Sequence, residues 1–137
     1  MIILTNIVGL IKRLPELLPL KPATTAQITD AQIQLRVSFA EEYKKYLSNF
    51  GAIMADGIEL TGIAKSEHRN VVFLTKQAWE LNPKVPHSMY VVENTCVDGI
   101  IIWQDGQGLI YQTYPNSKPS QIANSLVEYI EGKISIK

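Results

Sequence analysis

The side chains able to do chemistry in this sequence are few and scattered. His68 and His87 each stand alone in a polar or proline-containing turn, with no second ligand at a helical i, i+4 spacing that would hold a metal. Cys96 is the only cysteine and lies in "ENTCVDG", with no histidine or basic neighbour in the chain to hold a thiolate. It reads as a small buried or turn residue. Glu41 and Glu42 are adjacent, and adjacent helical residues diverge, whereas acid–base catalysis needs two carboxylates that converge. "DGQG" lacks the strand-to-helix turn and following lysine of a phosphate loop. Trp79, Trp103 and the six tyrosines could stack on bases, but their apolar surroundings place most of them in a core. No catalytic, cofactor-binding or metal-ligating residue is assigned.

A set of acids in predicted turns remains. Asp56 and Glu59 flank a short strand, and Asp98 and Asp105 sit at hairpin bends. Aspartate beside glycine favours tight turns, which accounts for their positions without any function. The sharper reading is an acidic rim that steers a basic partner, since charge complementarity speeds encounter and excludes wrong partners.

The elements that would position these residues follow from composition and periodicity. The 137 residues fit one domain spanning 1–137, long enough to bury a core without disulfides. Thirteen basic and thirteen acidic side chains cancel, so no basic face for direct nucleic-acid binding is expected. A single cysteine excludes an intrachain disulfide and suits a reducing compartment. The apolar N-terminus is interrupted by Lys12, Arg13 and Glu16 before reaching membrane-spanning length, and its charges follow the apolar run instead of preceding it. These features predict a cytoplasmic protein with no membrane association.

Ile3, Ile7, Leu10 and Leu14 recur as one helical stripe that Pro15 ends. Thr24 and Gln27 form a capping-box pattern ahead of Ile28, Ala31 and Leu35. After a break at "RVS", Ser38 and Glu41 offer a second capping box for a helix carrying Phe39, Tyr43, Leu47 and Phe50 on one face. Glu41 and Lys45 are placed to pair, and Gly51 stands at a left-handed C-cap. "GIELTG" predicts a short strand and "NVVFLTKQAWELNP" a helix ending before Pro83. "MYVVEN", "GIIIWQ" and "GLIYQTY" are strands whose short links, "DGQG" among them, require an antiparallel meander. A last helix is predicted from Ser117 to Gly132, with Pro119 in its first turn and Ile122, Leu126 and Ile130 on its buried face. The fold class is α+β: N-terminal helices, a central antiparallel sheet, and a C-terminal helix packed on it.

With these segments in order, "AQITDAQIQLRVSFAEEYKKYLSNFGA" and "GIELTGI" resemble the SUKH superfamily of bacterial immunity proteins. Tyr43, Leu47 and Gly51 match its tyrosine-containing helix and glycine, and Gly57, Leu60 and Gly62 match the strand that follows. "NVVFLTKQAWELNPKVP", "YVVEN", "DGIIIWQDGQGLIY" and "PSQIANSLVEYI" extend the resemblance over residues 24–131. Phe39 and Ala40 replace the family's leucine–proline step, a departure for which the Ser38–Glu41 capping box is expected to compensate.

The resemblance implies a non-enzymatic inhibitor that binds a cognate toxin, often a nuclease domain, and occludes its active surface. It needs no cofactor; the oligomeric state, monomer or weak dimer, stays open. Regulatory or scaffolding relatives with endogenous partners supply the alternative, and an unrecognised hydrolase is a third reading from another class. For a basic nuclease face, Asp56, Glu59, Asp98 and Asp105 are the candidate contacts, with Trp103 as an apolar anchor if it is exposed.

Overall fold

The computed structural model describes residues 6–135. Ile3, the first residue of the predicted N-terminal stripe, lies outside that range. Helix α1 (Ile7–Lys12) starts at an Asn6 cap and ends ahead of Pro15, burying Ile7, Leu10 and Ile11. A two-residue strand β1 (Leu18–Pro19), absent from the sequence expectation, follows the helix that Pro15 ends. Helix α2 (Thr25–Leu35) carries the predicted capping box, with Thr24 Oγ1 accepting from Gln27 N–H and Gln27 Oε1 from Thr24 N–H, and it buries Ile28, Ala31 and Leu35. Arg36 ends it at a left-handed φ of 56°.

Helix α3 (Glu41–Phe50) corrects two expectations. Ser38 and Glu41 form no capping box: the N-cap is Ala40, which has no capping side chain. Glu41 pairs with Lys44 at 2.9 Å, not with Lys45, and that contact lowers its pKa. The Ala40 N–H instead donates to the Tyr90 hydroxyl at 2.9 Å, a bond that a proline at this position could not make. Phe39 is buried edge-on to Tyr43 and Tyr90, with ring centroids 5.0 and 4.7 Å away. The Phe39–Ala40 departure is thus absorbed by an aromatic cluster and a tyrosine hydroxyl.

Gly51 ends α3 at φ 72° and ψ −65°, a positive φ but outside the left-handed helical basin. A Cβ there would lie 2.1 Å from the Lys21 carbonyl oxygen, and one on Gly62 would lie 1.8 Å from the Gly51 oxygen. These two glycines let three backbone segments close on one another, and the Ile63 N–H donates to the Gly51 oxygen at 3.0 Å.

Two antiparallel sheets follow. β2 (Ile53–Ala55) pairs with β1 and with the predicted strand β3 (Ile58–Leu60). After a 3-10 turn at Glu67–Arg69, helix α4 (Val71–Leu81) begins at Asn70, whose side chain accepts from the N–H groups of Val72 and Phe73. It ends before Pro83, as expected. β4 (Tyr90–Asn94), β5 (Ile101–Gln104) and β6 (Ile110–Thr113) form the predicted meander. Thr61 ties the two sheets together, its N–H donating to Val92 O at 2.9 Å and its hydroxyl to Val91 O at 2.8 Å.

The C-terminal region departs from expectation. Ser120–Ala123 is a fourth strand, β7, paired with β6, and helix α5 (Leu126–Ser135) starts only after it. Ser125 accepts from Glu128 N–H at the head of α5, and Gly132 lies inside the helix. Ile122, expected on the buried helical face, is 41% exposed on the edge strand, whereas Leu126 and Ile130 are buried as predicted.

The four-stranded sheet is covered on both faces. Tyr90, Val92, Ile102 and Ile110 join the main core formed with α1, α2, α3 and α5. Val91 and Trp103 point the other way, into a smaller cluster under Leu74 and Ala78 of α4.

Candidate functional site

The fold separates the predicted acids. Asp98 is exposed in the β4–β5 turn and Asp105 lies in the β5–β6 turn, so the two occupy opposite ends of β5, about 13 Å of strand. Asp56 is exposed in the β2–β3 turn. Glu59 follows on β3, its Oε1 3.8 Å from Arg69 Nε. Asp105 is committed to its own hairpin: Oδ1 accepts from the N–H groups of Gln107 and Leu109, and Oδ2 from the Tyr111 hydroxyl. Burial and that last contact raise the Tyr111 pKa.

Trp103 is fully buried, and its indole N–H donates to Thr113 Oγ1 at 3.0 Å. An anchor must reach a partner, and this residue does not meet that condition. It instead lines a cleft of 340 Å³ between α4 and the outer face of the four-stranded sheet. Leu74, Ala78 and Leu81 of α4 face Val91 and Ile101 across it. Leu81 and Tyr114, 76% and 51% exposed, also line it. Its polar groups are mostly engaged, since Asn82 donates to Ser117 O and accepts from Lys84 N–H. A concave apolar cleft with exposed apolar edges suits capture of a nonpolar side chain.

The titratable groups elsewhere are tied into the scaffold. Glu93 is buried at a bulge in β4, where its carboxylate accepts from Glu59 N–H (2.9 Å), Lys133 Nζ (2.7 Å) and the Tyr129 hydroxyl. Burial, and then the Glu93 charge, push the Tyr129 phenol far above its ordinary pKa. Burial likewise raises Tyr43, Tyr46 and Tyr90. Glu42 accepts from Gln104 Nε2 at 2.8 Å and from the N–H groups of Leu126 and Val127 at the head of α5.

His87 stacks on Trp79 with centroids 4.1 Å apart, and the His68 ring lies within hydrogen-bond distance of the nearby Ser66 hydroxyl. Cys96 is exposed in a turn at φ 57°. The fold brings His68 and Arg69 to the same small pocket as Cys96, a proximity invisible along the chain. Among the described residues, no group of three or more His, Cys, Asp or Glu is placed to hold a metal, and no helix is long and apolar enough to cross a membrane.

Helices flanking two antiparallel sheets, an α3 helix rich in buried tyrosine, and glycines packed against backbone at Gly51 and Gly62 define an α+β protein. A family model described as SMI1-KNR4 cell-wall, of the SUKH_5 group, matches residues 4–135. The chain belongs to the SUKH superfamily. No curated protein matches it closely enough to add a named relative.

Proposed function

We propose that this chain is an immunity-type inhibitor that binds a toxin protein in the cytoplasm and occludes its active surface without chemistry of its own. Family membership supports a protein partner. The observation that carries the reading is the cleft beside α4, an open apolar recess edged by the exposed Leu81 and Tyr114. Such a recess buries a partner's anchor side chain, and desolvated anchors supply most of the energy in protein interfaces. A nuclease-type toxin would present a basic phosphate-binding face. The exposed carboxylates of Asp56, Glu59 and Asp98 would then steer its approach from the flanks.

The test is to sequence the flanking genes and co-express this chain with any toxin encoded among them. Rescue of growth, together with a stoichiometric complex in vitro, is the expected result; failure of both against that toxin sinks the proposal. The cell-wall description of the matching family model favours one second reading, an interaction module whose partner is endogenous. Recovery of the same host protein in pull-downs from cells lacking any toxin gene would select that reading.

A further inference from the structure

A second recess, sharing no residue with the α4 cleft, opens between the β1–α2 connection and residues 63–66. It measures 580 Å³. Its lining includes the apolar Leu20, Pro22 and Ile63 and three cations, Lys21, Lys65 and Arg69. No carboxylate lines it. Lys21 and Lys65 are exposed, whereas the Arg69 side chain retains only 15% of its accessible surface.

The state of Arg69 is unusual. Its Nε and Nη2, the edge of the guanidinium that takes a carboxylate in two parallel hydrogen bonds, are buried with no hydrogen-bond partner among the described residues. Glu59 comes closest, but 3.8 Å from Oε1 to Nε is beyond hydrogen-bond reach, and Glu59 itself is about half exposed. Buried donors left unmatched are costly, and native proteins satisfy nearly all of theirs.

From this juxtaposition we infer that the Lys21–Lys65 groove docks an extended acidic segment of the protein partner, one carboxylate of which draws the Arg69 fork away from Glu59, which lines the neighbouring pocket, and into the groove. The inference rests on the reading of this chain as a protein binder and concerns a different patch of the partner from its apolar anchor. A peptide fits better than a nucleic acid. The groove has no aromatic residue to stack a base, and the chain carries no net positive charge. The apolar part of its lining suits the aliphatic stems of glutamate side chains whose carboxylates the lysines hold.

The experiment is fluorescence anisotropy with a labelled oligoglutamate peptide, and an oligothymidylate of equal charge as the second arm. The peptide should bind the full chain, weakening about tenfold as salt rises from about 50 to about 300 mM. Lys21→Glu with Lys65→Glu should weaken it about tenfold or more, and Arg69→Lys, which keeps the charge but loses the fork, by about fivefold. Glu59→Gln removes the competing carboxylate and should tighten binding. Circular dichroism melts confirm that each variant is folded. No peptide binding, equal binding by the charge-reversed variant, or tighter binding of the oligothymidylate would overturn the inference. Because no toxin is present, loss of toxin neutralisation with peptide binding intact counts against the proposed function alone.

Discussion

Glu42 on α3 caps helix α5 from 84 residues away, its Oε1 accepting the Leu126 N–H at 2.6 Å. The same oxygen accepts from Gln104 Nε2, and Gln104 Oε1 accepts from the Tyr90 hydroxyl, which in turn accepts the Ala40 N–H. One chain of hydrogen bonds therefore satisfies the start of α3, the centre of the sheet and the start of α5. A carboxylate at the head of α5 also faces the positive end of that helix's dipole.

Removing the carboxylate should release both ends of this chain. Glu42→Ala is expected to cost about 2 kcal/mol, the sum of a lost cap and a partly orphaned Gln104 amide. Glu42→Gln keeps an acceptor and should cost about half as much. Urea denaturation of the two variants checks the ranking; equal losses would mean that the cap depends on the negative charge and not on an acceptor oxygen alone.

Gly62 is the tightest backbone position among the described glycines. A Cβ there would sit 1.8 Å from the Gly51 oxygen and 2.9 Å from the Ala52 Cβ, both parts of a closed backbone junction. Gly62→Ala is expected to destabilise by about 3 kcal/mol, at the upper end for an overpacked site. Gly132→Ala meets nothing within 4 Å inside α5 and should stabilise by about 0.5–1 kcal/mol through helix propensity. Opposite signs in paired thermal melts are the expected outcome.

What could be foreseen along the chain was local. The Thr24–Gln27 capping box was legible because both partners lie within one turn, and the glycine-bounded strand Ile58–Leu60 announced itself by alternation. β7 was misread because Ser117 and Pro119 imitate a helix start, and Ile122, Leu126 and Ile130 keep a four-residue period; only pairing with β6 decides otherwise. The burial of Trp103 was foreshadowed by the apolar run before it, but its cleft was not. That cleft needs Leu74 and Ala78 brought over β4 and β5. The roles of Glu42 and Glu93 likewise depend on helix α5, remote in the chain.

The buried phenols give stability an alkaline limit. Tyr43, Tyr46, Tyr90 and Tyr129 all have pKa values raised on folding, with burial as the leading cause. Above about pH 10 the unfolded chain releases these protons while the folded chain keeps them, so stability falls as pH rises. Their contribution is complete below that pH and is lost progressively above it. Denaturant midpoints should decline steeply from about pH 10 upward, and tyrosinate absorbance should appear in step with unfolding. Tyrosinate absorbance from all four in a still-folded protein would contradict the burial.

The two hairpin aspartates should separate into different phenotypes. Asp105→Ala removes the acceptor for two backbone N–H groups and the Tyr111 hydroxyl and should cost about 1–3 kcal/mol. Asp98→Asn keeps a residue suited to φ 53° and should leave stability within about 0.5 kcal/mol. If a basic partner approaches past the β4–β5 turn, Asp98→Asn slows association and reduces its salt dependence, read by stopped flow. Unchanged association rates would remove Asp98 from the interface.

The α4 cleft supplies the sharpest test of the binding reading, because its edge can be altered with little effect on the fold. Leu81 is 76% exposed at the end of α4, so Leu81→Gln removes apolar surface from the cleft while disturbing little of the core. Ala78→Leu instead fills the recess from its α4 wall, displacing an incoming side chain without removing any native contact. Leu81→Gln should keep its stability within about 0.5 kcal/mol of the parent, whereas Ala78→Leu, at a buried position of the cluster with Trp103, is expected to cost about 1–3 kcal/mol. Both should lose at least about 1–2 kcal/mol of affinity for the partner, seen by calorimetry as weaker binding and by co-expression as reduced protection. A change confined to dissociation rate would mark the cleft as the seat of the anchor, since steering charges act mainly on association. If both variants bind and protect like the parent, the anchor side chain enters somewhere other than the space above Trp103.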